Sequence, residues 1–446
     1  MSYRRLLYSI VLYVIFPFVI LRLFWRSRKN RAYRQRISER LGLFKLTKKS
    51  NKSVIWVHAV SVGETIAAKP LIDALLDQYP DYQLLITSTT PTGSEMVKKL
   101  FQNKVAHVYF PYDLPEIVAR FLNRTKPQLC IIVETEIWPN LYAACTKRQI
   151  PIMLANARLS ARSTTGYLKI KGLVEETLKR IDVIAVRSED DAERFKTLGA
   201  LEQQIIVAGN IKFDLNLNQA QVEKGKLRKS QWGIKRPVWV AASTHEGEEQ
   251  QLLQIHSRLL KNYPDLILVL IPRHLERFDE VFELCHSQPD LIALRHSQQK
   301  NYNNCNANII LGDTIGEMQS WYATANVVFM GGSLVSTGGH NPLEATLLDK
   351  PVISGPHTFN FEDIYPILSE AGLCWICDDS DQIETQLMNL LDHQLGTELG
   401  TEPDKELDDQ LDMEFNLKVK NIMQQHGGVT TRLMLQIKAL LSRVSV

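Results

Sequence analysis

From Ser53 onward, short β-branched and aromatic runs alternate with amphipathic stretches. The runs predict strands at Val54–Val57, Tyr82–Thr87, Val105–Phe110, Leu129–Val133, Ile150–Ala155, Val183–Val186 and Ile205–Ala208. Between them, apolar residues at helical spacing predict helices such as Glu64–Gln78, Thr92–Phe101, Pro115–Arg124 and Leu141–Arg148. That alternation reads as βαβ units: a parallel sheet with helices on both faces.

The pattern breaks at Phe213–Pro237, which is polar, rich in Asn, Gln and Lys, and reads as a linker. It then restarts. Strands are expected at Val238–Ala242, Leu266–Ile271, Ile309–Leu311, Val327–Met330 and Pro351–Ser354. Helices are expected at Gly247–Asn262, Glu276–His286, Gly316–Ala323, Pro342–Leu348 and Asp381–Leu391. Gly396–Asp412 has no apolar period and reads as an exposed loop, followed by a last amphipathic helix from Phe415 to about Ser442. The expected organisation is an N-terminal segment 1–40, an α/β domain 41–212, a linker 213–236, a second α/β domain 237–414 and a C-terminal helix 415–446. Both domains are doubly wound, and ligands in such an arrangement are expected in the cleft between them.

The first forty residues obey another rule. Leu6–Leu21 is 16 residues without a charge, about 24 Å of helix against about 30 Å of hydrocarbon. Leu23, Phe24 and Trp25 nearly close the gap if Arg22 snorkels, and Pro17 is expected to kink the segment. The chain's net charge of +3 conceals an asymmetry: residues 1–40 carry ten Lys/Arg and one acid, whereas the remainder is net −6. No small-residue cleavage site follows the apolar run, which argues against a signal peptide. The dense positive flank predicts a retained anchor whose flank stays on the cytoplasmic side and meets anionic lipid. Spanning the membrane and lying in its interface are both open. A nucleic-acid-binding arm would leave the apolar run without a role. The six cysteines are scattered; Cys374 and Cys377 have C-x-x-C spacing but no second pair, so reduced core thiols are expected rather than a zinc site.

The chemistry gathers where strands end, as ligands do in parallel sheets. Ser53–Glu64 reads SVIWVHAVSVGE: a strand that delivers His58, Ser61 and Glu64 to its carboxyl end. Glu64 is either a first-turn acid complementing a helix dipole or a general base. Glu134 and Glu136 end another run. On a strand they would face one side and repel, raising one pKa, unless Glu134 pairs with Arg158 or Arg187. Lys212, after Gly209-Asn210, is placed to neutralise developing negative charge. In the second half, Ser243–Gly247, Pro272-Arg273-His274, Gly312–Met318 and Gly331-Gly332-Ser333 each follow a strand, and a second polar loop, Ser336–Asn341, opens the helix Pro342–Leu348. Together they predict a bowl of amides, hydroxyls and a cation suited to a nucleotide phosphate at a helix start. His340–Glu344 looks metal-like, but a helix-start Asn and Glu facing a ribose is the better reading. No metal site with convincing spacing, no Gly-x-Gly-x-x-Gly and no Walker loop is present.

These motifs, in this order, resemble one family. VHAVSVGE, ETEIWPN (Glu134–Asn140), NARLS (Asn156–Ser160), GNIKFD (Gly209–Asp214), PRH, GE (Gly316-Glu317), GGS and HNPLE (His340–Glu344) are similar to segments of the Kdo transferases. Those enzymes move 3-deoxy-D-manno-oct-2-ulosonic acid (Kdo) from its cytidine monophosphate ester, CMP-Kdo, to a lipid A precursor. The resemblance implies two Rossmann-like domains of the GT-B type behind an N-terminal membrane-anchor helix at the inner membrane. It implies Glu64 as general base, with Glu134 and Lys212 stabilising the transition state. It also implies that Pro272, Arg273, Gly316, Glu317, Met318, Asn341, Pro342, Leu343 and Glu344 hold the cytidine nucleotide. Neither a metal nor a further cofactor is expected, since the donor carries its own activating phosphate. The expected partners are the lipid acceptor and membrane lipids, not nucleic acid. An epimerase or hydrolase of nucleotide sugars on the same fold, or a non-catalytic membrane module, are the rival functions.

Overall fold

Each apolar run in the pattern becomes a strand, and the central strands are buried on both faces. The computed structural model describes residues 2–28, 31–46, 52–288, 290–299, 302, 306–395 and 405–444, and it divides into two units: Met1–Asp214 with His426–Val446, and Leu215–Gln425.

The first unit holds β1 (Ser53–His58), β2 (Tyr82–Ser88), β3 (Ala106–Tyr109), β4 (Pro127–Val133), β5 (Ile152–Ala157), β6 (Val183–Val186) and β7 (Ile205–Val207). They pair in parallel in the order β3-β2-β1-β4-β5-β6-β7. Alternation along β1 sends Val54 and Trp56 to one core and Ile55 and Val57 to the other. The order reverses between β1 and β4, which opens a crevice at their carboxyl ends.

The second unit repeats the plan. It contains β8 (Val238–Thr244), β9 (Ile267–Pro272), β10 (Ala293–Arg295), β11 (Ile309–Leu311), β12 (Val327–Met330), β13 (Val352–Ser354) and β14 (Cys374–Ile376). The parallel order is β10-β11-β9-β8-β12-β13-β14, with the reversal between β8 and β12. β10 and β14 are three-residue edge strands. Cys374 and Cys377 are buried free thiols, as expected.

Four elements differ from the sequence reading. The expected linker contains a helix, Gln219–Trp232, capped by Asn218. It turns Val222, Gly225, Arg228 and Trp232 inward, and only two of those are apolar, so its period is faint. The last helix is two, Lys405–His426 and Val429–Val444, separated at Gly428, whose φ of 72° suits glycine. The second of these belongs to the first unit, where Val429, Leu433 and Ile437 share a core with Leu71, Ile72 and Leu75. The expected loop Gly396–Asp412 lies outside the described residues up to 404, and from Lys405 it is helical. The expected helix Glu64–Gln78 is split into Val62–Ala67 and Lys69–Gln78 at Ala68, just ahead of Pro70. At the N-terminus, one helix, Tyr3–Arg26, runs through Pro17. Among the described residues it alone is long and apolar enough to cross a membrane.

Candidate active site

In the first unit the site is built on the reversal between β1 and β4. β1 stops at His58, and Ser61 caps the helix Val62–Ala67 by accepting from the Glu64 amide. The Val60 amide donates to Glu64 Oε2 at 2.7 Å and the Ser61 hydroxyl donates to Oε1 at 3.1 Å, so both carboxylate oxygens are aimed. The Val60 carbonyl accepts from the Thr89 amide at 3.2 Å, which pins the turn to the end of β2. Behind it Gly93 must be glycine: a Cβ would lie 2.9 Å from Thr90 Oγ1 and 3.2 Å from the Val60 carbonyl. Burial pushes the Glu64 carboxyl up to about 7; Val60 opposes this, Glu134 adds to it, Ser61 opposes and Glu136 adds a little.

Glu134 does not end a strand as expected. β4 stops at Val133, and Glu134 is left-handed at φ 62°, its amide donating to the Ala155 carbonyl at 2.9 Å. A non-glycine residue held there is strained by about 1–3 kcal/mol. Strand alternation therefore does not set the relation between Glu134 and Glu136. Burial is the main reason the Glu136 carboxyl rises to about 7, with Trp138 opposing and Glu134 adding. Of the expected pairing cations, Arg187 lies 4.0 Å from Asp191. Lys212 sits on the short turn Ile211–Asp214. The Ile211 amide donates to Asn156 Oδ1 at 3.0 Å and the Lys212 amide to Asn210 Oδ1 at 3.0 Å, so the turn is tied to the end of β5, beside β4.

His58 is a correction. It is fully buried, stacked on Phe110 at 3.9 Å, with Nδ1 2.9 Å from Thr87 Oγ1. Burial drops its pKa to about 3, so it is a neutral core group and not part of the opening.

In the second unit the reversal lies between β8 and β12, and the expected bowl of amides is already filled. Glu248 is fully buried. Its Oε1 accepts from the Ser333 and Leu334 amides at 2.9 Å, and its Oε2 from Gly332 at 2.7 Å and His245 at 2.8 Å. The Ser333 hydroxyl donates to the Met330 carbonyl at 2.5 Å and accepts from the Gly355 amide at 2.7 Å. Gly-Gly-Ser is therefore a braced loop rather than a free phosphate cradle. Gly331 is required for packing, since a Cβ would lie 2.6 Å from the Ser243 carbonyl.

Beside this loop lie a cluster of neutral histidines and one cation, Arg273. His245 and His340 stack with ring centres 5.3 Å apart and Nε2 atoms at 3.1 Å, and His274 meets His245 edge-on at 5.3 Å. Burial and the Arg273, His245 and His274 charges push His340 down to about 3. The Arg273 amide donates to the Thr244 carbonyl at 2.9 Å and its side chain is exposed. Such a group favours an anion.

The other predicted residues of this unit fall into two kinds. Pro272, Pro342 and Leu343 are buried. Asn341 Oδ1 accepts from the Leu343 amide at 3.2 Å, and Glu344, raised by burial, takes a hydrogen bond from Gln319 next to Met318. Glu317 is occupied by cations. Lys224 and Thr314 bond its carboxylate, His296 Nε2 lies at 3.0 Å and Arg228 at 3.7 Å. Burial would raise it, but Lys224, Thr314 and the Lys224 and Arg228 charges hold it at about 2. Gly316, at φ 83°, lets the loop turn into this network, which lines a cavity of about 540 Å³.

The family model described as 3-deoxy-D-manno-octulosonic-acid transferase (kdotransferase) matches residues 35–215. The chain is 41% identical to the 3-deoxy-D-manno-octulosonic acid transferase of Haemophilus influenzae, across 87% of this chain and 91% of the relative. It is 37% identical to that of Bordetella pertussis, across 69% and 72%. The chain belongs to the Kdo transferases. Among solved structures, the UDP-GlcNAc 2-epimerase of Neisseria meningitidis matches with a TM-score of 0.54 at 16% identity, covering 86% of this chain and 98% of that one. A glycosyltransferase from Rickettsia africae matches with 0.55 at 14%, covering 88% and 99%. At those identities the likeness shows the two-domain Rossmann-like fold alone.

In this Kdo transferase the structure thus brings Glu64, Glu134 and Glu136 within electrostatic reach of one another, and ties the turn that carries Lys212 to the neighbouring strand end through Ile211. Sequence reasoning missed Glu248. In the run His245-Glu-Gly-Glu-Glu it reads as one of several helix-start acids, and three of its four partners lie 84 to 86 residues away.

Proposed function

We propose that this enzyme transfers Kdo from CMP-Kdo to a lipid A precursor such as lipid IVA with inversion at the anomeric carbon, and that Glu64 is the general base. One observation carries the reading: a half-buried carboxylate at the crevice of the first sheet, aimed by Val60 and Ser61, with a pKa of about 7. A base is most effective when its pKa lies near the working pH. In this scheme the acceptor hydroxyl forms the new bond to the anomeric carbon as its proton passes to Glu64. The bond from that carbon to the CMP phosphate oxygen breaks, and CMP leaves as an anion that needs no proton. Lys212 and Glu134 act on the charge that develops, and Arg273, Gly316–Met318 and Asn341–Glu344 hold the nucleotide. The donor brings its own activation, so the scheme has no further cofactor. The N-terminal helix and its basic flank keep the enzyme at the inner membrane, on its cytoplasmic side.

Mass spectrometry of lipid IVA incubated with the enzyme and CMP-Kdo tests this reading. The expected product gains one or more Kdo residues with release of CMP. Free Kdo or a rearranged sugar, with the lipid unchanged, would instead support the hydrolase or epimerase alternative.

A further inference from the structure

We infer that the N-terminal helix lies in the plane of an anionic membrane face, along the flank of the first unit, and does not cross the bilayer. Length does not decide the matter: 24 residues make about 36 Å of helix, enough to span about 30 Å of hydrocarbon. The contacts at its two ends do.

At the start of the helix, the Ser2 hydroxyl donates to Glu176 at 2.5 Å. Further along, the Tyr8 hydroxyl donates to Asp113 at 3.0 Å, Ser9 exchanges hydrogen bonds with Asn140 at 3.0–3.1 Å, and Tyr13 bonds Glu116. The Phe16 ring meets Tyr112 edge-on at 5.3 Å. Just beyond the helix the chain is fastened to the same unit. Arg36 donates to Ser94 at 2.9 Å and to the His107 carbonyl at 3.0 Å; Arg40 donates to the Thr89 carbonyl at 2.8 Å; Glu39 accepts from the Tyr109 amide at 2.9 Å. A spanning helix places its ends on opposite sides of the bilayer. Here the helix from Ser2 to Phe16 and the segment Arg36–Arg40 that follows it are bonded to one folded body, and spanning would drag Glu116, Asp113, Asn140 and Glu176 into hydrocarbon, where unpaired polar and charged groups are costly.

The two faces agree with this. Arg5, Ser9, Leu12, Phe16 and Val19 are at least half-buried and form a stripe toward the body. Leu7, Val11, Val14, Phe18, Leu21 and Trp25 form the opposite stripe, all exposed, at the spacing of one helix face. Arg22, Arg26, Arg28, Arg31 and Arg34 are exposed at the C-terminal end and just after it. An apolar stripe with a cationic end suits an interfacial helix on anionic lipid.

The inference rests on the reading that the enzyme works on lipid at a membrane, but its test is separate from the chemistry. Ser2→Cys and Arg28→Cys are made singly in full-length Cys305→Ser enzyme. Inverted and right-side-out inner-membrane vesicles are then treated with a membrane-impermeant maleimide. Both positions should react in inverted vesicles and neither in right-side-out ones. Reaction of the Ser2→Cys protein from the right-side-out face alone would overturn the inference. A cysteine in a short Gly-Ser extension ahead of Met1 repeats the readout should position 2 prove unreactive, with the same two outcomes. Kdo transfer by the unsubstituted enzyme is measured in parallel. Transfer with opposite-face labelling refutes the orientation alone, whereas absence of transfer refutes the proposed function and leaves the labelling result standing.

Discussion

Glu248→Gln tests whether the Gly-Gly-Ser loop is braced by a buried carboxylate. Four backbone amides converge on the two oxygens of Glu248, two on each. The substitution turns one oxygen into an NH2 group, which faces two amide donors and satisfies neither. Whichever side it takes, two buried donors lose their acceptor, at about 1–3 kcal/mol each. The expected loss is about 2–6 kcal/mol, a large share of the roughly 5–15 kcal/mol that holds a domain folded. Urea unfolding followed by tryptophan fluorescence reads the total, with Trp239 and Trp321 buried in this unit. Amide hydrogen exchange at residues 332–334 reads the loop itself, where protection should collapse. CMP-Kdo affinity should fall with it. Unchanged exchange at those amides, with stability within about 1 kcal/mol of the parent, would refute the bracing role.

Other expectations follow from packing and charge. Gly225→Ala places a Cβ 2.3 Å from the Ser320 carbonyl and 2.6 Å from Ala323 Cβ, so it should destabilise by about 1–3 kcal/mol; thermal unfolding checks this, and a gain of the kind alanine gives in an exposed helix would contradict it. Glu317→Gln leaves Arg228, 4% exposed, without its anion and should cost about 2 kcal/mol at pH 7. Because the Glu317 pKa is depressed to about 2, its contribution is complete above the unfolded value near 4.5 and fades as pH falls toward 2, so the variant should lack that part of the acid-unfolding profile. Ile437→Ala should destabilise the first unit by about 2–5 kcal/mol, whereas Leu435→Ala, 61% exposed, should stay within about 0.5 kcal/mol; equal effects would show that the last helix does not complete that core.

The parts of this molecule that depend on local rules were readable from its residues. β1 to β9 and β11 to β13 announce themselves as short apolar runs, most plainly the central strands, because a strand buried on both faces must be a continuous apolar run. Glu64 was readable because a Ser-Val-Gly-Glu turn after such a run fixes its place at a strand end. What escaped depends on distant partners. Glu248 is one of several helix-start acids until the chain brings residues 332–334 to it. The cations that hold Glu317, Lys224 and Arg228, come from the stretch that composition marks as a linker. His58 sits on the right strand but one turn of the alternation too deep, against Phe110. Backbone strain at Glu134 and Ser243, each left-handed near a strand end, has no signature in the residue types themselves.

The central claim is that Glu64 takes the proton from the acceptor. Initial-rate measurement of Kdo transfer against pH, for the parent enzyme and Glu64→Gln, tests it most directly, with CMP-Kdo binding measured alongside. Since burial raises this carboxyl to about 7, kcat/KM of the parent should fall about tenfold per pH unit below that value. The variant should bind CMP-Kdo unchanged yet transfer at least about a hundredfold more slowly. Transfer at the parent's rate, or a parent profile flat from pH 5 to 8, would contradict the account.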